Sequence, residues 1–364
     1  MDLFQPFTLG STTLTNRLVM APMTRNRAAA DGTVTPLMAQ YYAQRATAGL
    51  IIAEAATPSL TGRTYPNTAG IHTDAQVAAW RTVTGAVAAP MFLQLQHGGR
   101  VGHPATSGRT PMAPSPIPLP GPIHTPTGRE PAVTPREMTT ADIRTTIDDF
   151  AAAATRAIAA GFVGVEIHSA NGYLLHQFLA LNTNHRTDAY GSDRSRFVLE
   201  VLDAVTEAIG PDRVGLRISP GNTVNGILDD EALYPHLVSA AARRSLAYLH
   251  IALAVPESPL FAQLRAAWPG ALIANPLLPQ GSIPTDGGRH AAEQLLAAGA
   301  DLIALGRPFL ANPDLVTRLQ TAAPITQPQN RYLMYVGGAR GYTDYPTYSA
   351  EPAPASGRDA TRRG

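Results

Sequence analysis

The sequence predicts a (β/α)8 barrel. Eight short apolar, β-rich runs recur along the 364 residues, and helix-like stretches with Ala-rich, periodic apolar faces separate them. Polar side chains gather just past the ends of those runs, which is where a parallel barrel carries its chemistry. A doubly wound open sheet would show the same alternation. It usually carries Gly-x-Gly-x-x-Gly after its first strand, however, and here Met20-Ala-Pro-Met-Thr24 stands in that place.

In chain order, residues 7–14 have the pattern of a small hairpin turning at Gly10-Ser11, placed to floor the N-terminal end of the barrel. Strands are predicted at 17–20, 50–53, 91–95, 163–167, 214–218, 248–251, 272–274 and 302–305. Helices between them include 143–160, 196–209 and 288–298, and strands alternating with helices favour a parallel sheet closed by right-handed crossovers. Residues 98–135 are rich in Pro and Gly with little periodicity; a loop of that length inside a compact domain is normally functional, so a lid or capping segment over the barrel mouth is expected. One domain over 1–348 is therefore expected, followed by a disordered tail of Pro, Ala, Gly and Arg over 349–364.

Composition narrows the chemistry. A hydrophobic fraction of 45% with 15% charged residues supports a sizeable core. No apolar run approaches the roughly 20 residues of a membrane-spanning helix. The N-terminus, Met1-Asp-Leu-Phe-Gln-Pro6, lacks the basic start and apolar stretch of an export signal, so a cytoplasmic location is expected. The absence of cysteine excludes disulfides, thiolate catalysis, iron–sulfur clusters and cysteine-ligated zinc. Lysine is absent too, so all 28 basic residues are arginine and Schiff-base chemistry is excluded. A net charge of +1 gives no reason to expect nucleic acid or an anionic membrane as partner. The strand ends lack a His and carboxylate cluster at ligand spacing, so no metal is expected.

The densest signal is Gly164-Val-Glu-Ile-His-Ser-Ala-Asn-Gly-Tyr-Leu-Leu-His-Gln-Phe-Leu179, an apolar strand running into a helix with His168, Asn171 and Tyr173 at the junction. His168 and Asn171 are three apart, so a helical first turn would put them on one face, converging on a single acceptor. Tyr173 carries a proton it can give away, and the set reads as a carbonyl clamp beside a proton donor. Around the same end fall Pro22, Met23 and Thr24 after the first strand, Ala55 after the second, and Gln94 through His97 closing the third. Arg217 ends the fifth strand, and Gly306-Arg307 ends the eighth. Thr, Gln and Arg in such a ring suit a flat heteroaromatic with carbonyl and imide edges, and Gly306-Arg307 opening a helix suits a phosphate.

Along nearly its whole length the chain resembles the Old Yellow Enzyme family of flavin-dependent ene-reductases. The matching stretches are Asn16-Arg-Leu-Val-Met-Ala-Pro-Met-Thr-Arg25, Gln40-Tyr-Tyr-Ala-Gln-Arg45, Glu166 through Phe178, Arg186-Thr-Asp-Ala-Tyr-Gly191, Gly306-Arg-Pro-Phe-Leu-Ala-Asn-Pro-Asp314 and Gly337-Gly-Ala-Arg-Gly-Tyr-Thr-Asp-Tyr-Pro346. The resemblance implies non-covalent FMN across the barrel mouth, with NADPH or NADH as co-substrate in a ping-pong cycle. It implies hydride delivery from flavin N5 to the β-carbon of an α,β-unsaturated carbonyl or nitro compound, with Tyr173 protonating the α-carbon.

Residue by residue, the resemblance puts Thr24 near the flavin O4, Gln94 at the pyrimidine edge, Arg217 near N1 and O2, and Arg307 on the phosphate. His168 and Asn171 then hold the substrate oxygen, and Tyr65, Gln96 and Tyr335 line the substrate cavity. A guanidinium buried at Arg217 without an anion would be costly, and the sequence singles out no carboxylate for it. Asn275-Pro276 follows the predicted seventh strand where relatives have a glycine-rich turn, which shifts the expected phosphate contacts toward Arg307 and Gly287-Gly288. Nitrate-ester or nitroaromatic reduction, a biosynthetic reductase or isomerase step, and a flavin-binding redox sensor stay open as alternatives, as does monomer against homodimer.

Overall fold

The computed structural model describes residues 2–279 and 281–349, so all but the first residue of the tail expected to be disordered lies outside the described residues. Eight parallel strands close into a barrel: β1 (Leu18–Met20), β2 (Leu50–Thr57), β3 (Met91–Leu95), β4 (Gly164–Ser169), β5 (Val214–Ile218), β6 (Tyr248–Ala254), β7 (Ala271–Pro276) and β8 (Leu302–Leu305). The last strand pairs back onto the first through Ile303 with Leu18, Ala304 with Val19 and Leu305 with Met20, so the barrel wall has no free edge. The predicted bounds of β3, β5 and β8 coincide with the observed ones. β2 and β6 run on to Thr57 and Ala254 through register irregularities at Ala53/Ala56 and Ala252/Ala254; bulges of this kind re-aim side chains near a mouth and leave no periodic trace in the sequence. β7 also runs further than expected, and Asn275 and Pro276 are its last residues instead of a turn after it.

Strand side chains alternate between the two faces, and that alternation decides what stands inside the barrel. Leu93, Leu95, Val165, Ile167, Leu216, Ile218, Leu249, Ile251 and Leu272 belong to the core shared with the surrounding helices. Phe92, Tyr248 and Ile273 belong to the separate inner core, and the positions two further along from them, Gln94, His250 and Asn275, fall on the same inward face. Gly164 and Gly215 make room for the two inner rings: a Cβ on Gly164 would stand 2.4 Å from the Phe92 ring, and one on Gly215 would stand 2.2 Å from the Tyr248 ring.

The outer ring comprises α1 (Pro36–Ala43), α2 (Asp74–Ala86), α3 (Thr140–Ala159), α4 (Arg196–Ile209), α5 (Tyr234–Ala242), α6 (Pro259–Ala267), α7 (Arg289–Ala297) and α8 (Leu315–Thr321). α3 starts ahead of its predicted bound because Thr139 and Asp142 form a capping box, which satisfies donors before the apolar periodicity begins. α4 matches its predicted bounds and buries Phe197, Val198, Val201, Leu202 and Val205, a stripe at helical spacing.

The predicted hairpin is present, Phe7–Leu9 pairing antiparallel with Thr12–Leu14, with Gly10 at φ 56° in the turn. Leu9 and Leu14 bury against Val19, Leu50, Ile52 and Leu302, closing the bottom of the barrel interior. The 98–135 stretch is more regular than its composition suggests. It holds a short helix, Pro104–Ser107, and an antiparallel hairpin of Pro122–Thr125 with Gly128–Pro131, while Met112–Ala113 pairs with Arg136–Glu137 just beyond it. Among the described residues no helix is long and apolar enough to cross a membrane.

Candidate active site

His168, Asn171 and Tyr173 meet at the C-terminal end of β4, though not through helical spacing. His168 is still in the strand, Asn171 takes a left-handed conformation at φ 55°, and Tyr173 is the N-cap of a helix that begins at Leu174. Asn is one of the few residues that adopts this conformation readily, and the turn it makes reverses the chain so that Tyr173 comes back over the strand end. The Tyr173 and His168 rings meet edge to face with centroids 5.2 Å apart.

Asn171 and Tyr173 are held by hydrogen bonds. Ser219, just past β5, accepts the Asn171 backbone N–H at 2.9 Å. Asn222 donates to the Asn171 side-chain oxygen at 2.8 Å, which orients that amide and leaves its NH2 group to point elsewhere. Asn225 donates to the Asn171 carbonyl at 2.8 Å. The phenol oxygen lies 3.4 Å from that of Tyr65. Among the described residues no hydrogen bond reaches either ring nitrogen of His168, and its Nδ1 is fully buried. Burial, with the positive charge of Arg217 next, holds the His168 imidazole well below its ordinary pKa, so the ring is neutral. Burial likewise raises the Tyr173 phenol well above its ordinary value, and it stays protonated.

Beneath this cluster a continuous polar layer crosses β3 to β7. Gln94 donates to Glu166 Oε1 at 2.7 Å, and His250 Nδ1 donates to Glu166 Oε2 at 2.7 Å. Arg217 donates to His250 Nε2 and, at 3.0 Å, to the side-chain oxygen of Asn275. Asn275 in turn donates to the Ala304 carbonyl at 2.9 Å. The carboxylate that the sequence did not reveal for Arg217 is therefore Glu166, fully buried and linked to it through His250. Burial pushes against ionisation of Glu166, but His250, Arg217 and Gln94 together hold its pKa below the ordinary value. Burial and Arg217 lower His250 to about 4, so the permanent charges of the layer are Glu166 and Arg217. Glu166 and His250 were missed because each reads as one polar residue in an apolar strand, and Asn275 because it was placed in a turn beyond the seventh strand; the period-two alternation that puts them inward was the available signal.

The rest of the expected ring lies around the same end. Pro22, Met23 and Thr24 are half-buried past β1, Ala55 is buried in β2, and Gln96 is buried past β3 with its amide donating to Thr64 at 3.2 Å. Tyr65 is half-buried and Tyr335 is exposed, and both lie close enough to act electrostatically on Tyr173. Tyr335 sits in a segment that buried arginines hold by its backbone carbonyls: Arg27 donates to Leu333 and Val336, and Arg25 to Met334.

Gly306 and Arg307 open a short helix after β8, and the half-buried Arg307 side chain donates to the Pro279 carbonyl at 2.6 Å. Gly287 and Gly288 do not form the expected anion cradle. Their N–H groups are taken by the Pro284 carbonyl and the Asp286 side chain, and a Cβ on Gly287 would run into Leu319 and Ile325. Surface hollows of about 470 and 610 Å³ lie away from the mouth, one beside the floor hairpin and one between α3 and α4, and neither contains a candidate catalytic residue.

The profile of the NADH:flavin oxidoreductase / NADH oxidase family matches residues 2–325. The chain is 39% identical to chanoclavine-I aldehyde reductase of Penicillium roqueforti, an alignment covering 96% of this chain and 97% of that one. Its structure is similar to that of morphinone reductase in complex with tetrahydroNAD, with a TM-score of 0.88 at 42% identity, covering 96% of this chain and 98% of that one. It is similar also to the old yellow enzyme homologue from Zymomonas mobilis, with a TM-score of 0.89 at 37% identity, covering 95% and 99%.

Proposed function

Because the chain belongs to the Old Yellow Enzyme family of NADH:flavin oxidoreductases and is an FMN-dependent NAD(P)H oxidoreductase, we propose that it reduces the C=C bond of α,β-unsaturated carbonyl or nitro compounds at its barrel mouth. The observation that carries this reading is a neutral, buried His168 with no hydrogen-bond partner among the described residues, beside an Asn171 amide whose oxygen is taken and whose NH2 donates to none of them. Two donors with no acceptor among the described residues suit an oxygen that gains negative charge during the reaction.

The residues present fit FMN. Among the described residues Arg217 Nε is buried without a partner, and Gln94 gives one amide hydrogen to Glu166 while its oxygen accepts none. Such a set suits a ring with both acceptor and donor edges. Arg217 would hold the electron-rich edge of the ring system and Arg307 the phosphate; Thr24 and Gln94, with Pro22, Met23, Ala55 and Gly306, would hold the remainder. Bound FMN, reduced by NADPH or NADH, supplies the hydride.

His168 and Asn171 bind the carbonyl or nitro oxygen and draw electrons from the alkene. His168 does this as a neutral donor that keeps its proton, because burial disfavours the imidazolium. Tyr173 holds a proton at its phenol oxygen and passes it to the α-carbon, with the Tyr65 phenol 3.4 Å from that oxygen. Tyr65, Gln96 and Tyr335 line the approach. The names of the relatives, with an aldehyde in one and a ketone in the other, support a carbonyl as the activating group.

Purified protein should be yellow, bleach on anaerobic addition of NADPH, and regain its colour when cyclohexenone is added. Colour that NADPH removes and no enone or nitroalkene restores would overturn the proposed substrate class.

A further inference from the structure

The polar layer across β3 to β7 contains more than contact with a cofactor requires. Gln94 and Glu166 face each other in register, as do Arg217 and His250, and the Asn275 position pairs with Ala252, two residues beyond His250. The result is one hydrogen-bonded chain, Gln94 to Glu166 to His250 to Arg217 to Asn275, in which every side chain but Asn275 is buried. Its two lasting charges stand at different places: the Arg217 guanidinium at the end of β5 and the Glu166 carboxylate in the middle of β4, behind a neutral imidazole. Asn275 is fixed at both ends of its amide. Donation to Ala304 at 2.9 Å forces its oxygen toward Arg217, because the reversed amide would turn an NH2 group against a guanidinium.

We propose that Glu166, His250 and Asn275 are positioning residues that set how much of the Arg217 charge reaches the barrel mouth, and through it the reduction potential of bound FMN. Glu166 offsets the guanidinium from behind, His250 holds the two apart while linking them, and Asn275 fixes the guanidinium from the side with a dipole instead of a charge. The inference rests on the reading that Arg217 faces the cofactor. Two unit charges about 8 Å apart, at an effective dielectric constant of about 20, interact strongly enough to alter an equilibrium more than tenfold.

The test is the midpoint potential of the holoenzyme, followed by spectroelectrochemical titration. Glu166→Gln removes a negative charge without changing shape. It should favour the reduced flavin about tenfold, a rise of about 30 mV for a two-electron couple. Asn275→Asp adds a negative charge beside Arg217 and should shift the equilibrium by a similar factor in the opposite direction. Disruption of packing alone would not give shifts of opposite sign. If Glu166→Gln does not fold, Asn275→Asp decides the matter, because its position is only half-buried. Shifts in the same direction, shifts of less than twofold, or loss of FMN from both variants would overturn the inference. Arg217→Gln separates it from the reading beneath: if FMN affinity and potential are unchanged in that variant, the cofactor does not lie against Arg217 and the proposed binding mode fails. If Arg217→Gln shifts the potential while the Glu166 and Asn275 variants do not, only the present inference fails.

Discussion

The phenol oxygen of Tyr65 lies 3.4 Å from that of Tyr173, so the proposed proton donor shares a hydrogen bond with a second phenol at the edge of the pocket. Tyr173→Phe should therefore slow alkene reduction by about 10²–10⁴-fold, the usual contribution of a positioned acid, and leave reduction of the flavin by NADPH nearly unchanged. Tyr65→Phe removes only the partner and should cost less. Stopped-flow measurement of the two half-reactions decides the point; equal losses in both would count against a proton-transfer role.

Asn222 holds the Asn171 amide by its oxygen, which makes Asn171 a donor toward the mouth. Asn171→Ala or His168→Ala should lower kcat/KM for an enone by about 10²–10³-fold, as loss of a preorganised donor usually does. Asn222→Ala should give a smaller loss in the same direction, because the amide is present but free to turn. A larger loss from Asn222→Ala than from Asn171→Ala would be incompatible with this order.

Arg307 is the cation expected to meet the FMN phosphate, and among the described residues its side chain hydrogen-bonds only the Pro279 carbonyl. Replacing it with alanine should weaken FMN binding to the apoprotein by about 10–100-fold, the range of a charge-assisted hydrogen bond. Fluorescence titration measures this directly, and an unchanged dissociation constant would remove Arg307 from the site.

Glu54 makes stability depend on pH. It is fully buried, and burial pushes its carboxyl up to about 7, against the opposing hydrogen bond from the Arg25 backbone N–H. Its ordinary value is 4.5, so between that and about 7 the folded protein holds the proton and the unfolded chain does not. The stability this group contributes is full below pH 4.5 and is lost as pH rises through about 7. The change is on the order of 3 kcal/mol. Glu54→Gln has no such proton to lose, so denaturant unfolding at pH 5 and at pH 8 should show the unmodified chain losing stability relative to that variant. Parallel pH profiles would show that Glu54 titrates normally.

Much of the barrel was legible because its strands are buried on both faces and read as continuous apolar runs, and three of the eight have their predicted bounds. The bulged ends of β2 and β6 were not, since a bulge is a change of register against a neighbour and needs the neighbour to be seen. The residues at the end of β4 do come together, but not through the spacing that suggested it. Three-residue spacing suggested one helical face, whereas a left-handed Asn171 brings the groups together. Glu166 sat in plain view inside a quoted motif, yet its partnership with Arg217 runs through His250, 84 positions away from Glu166, and no local pattern records it. The segment that carries Tyr335 is held by arginines near the start of the chain, as in the contact from Arg25 to Met334 across 309 positions, which no local pattern records.

The seam between β1 and β8 has a consequence for biosynthesis. Arg17, just ahead of β1, donates to the Asp301 carbonyl just ahead of β8 at 2.9 Å, a contact between residues 284 positions apart. During translation at about 5–20 residues per second, the first strand therefore waits about 15–60 s for its second neighbour. Over that interval the nascent sheet has an exposed flank open to other chains, and a product truncated before Leu305 would be an open sheet with two bare margins, not a smaller barrel.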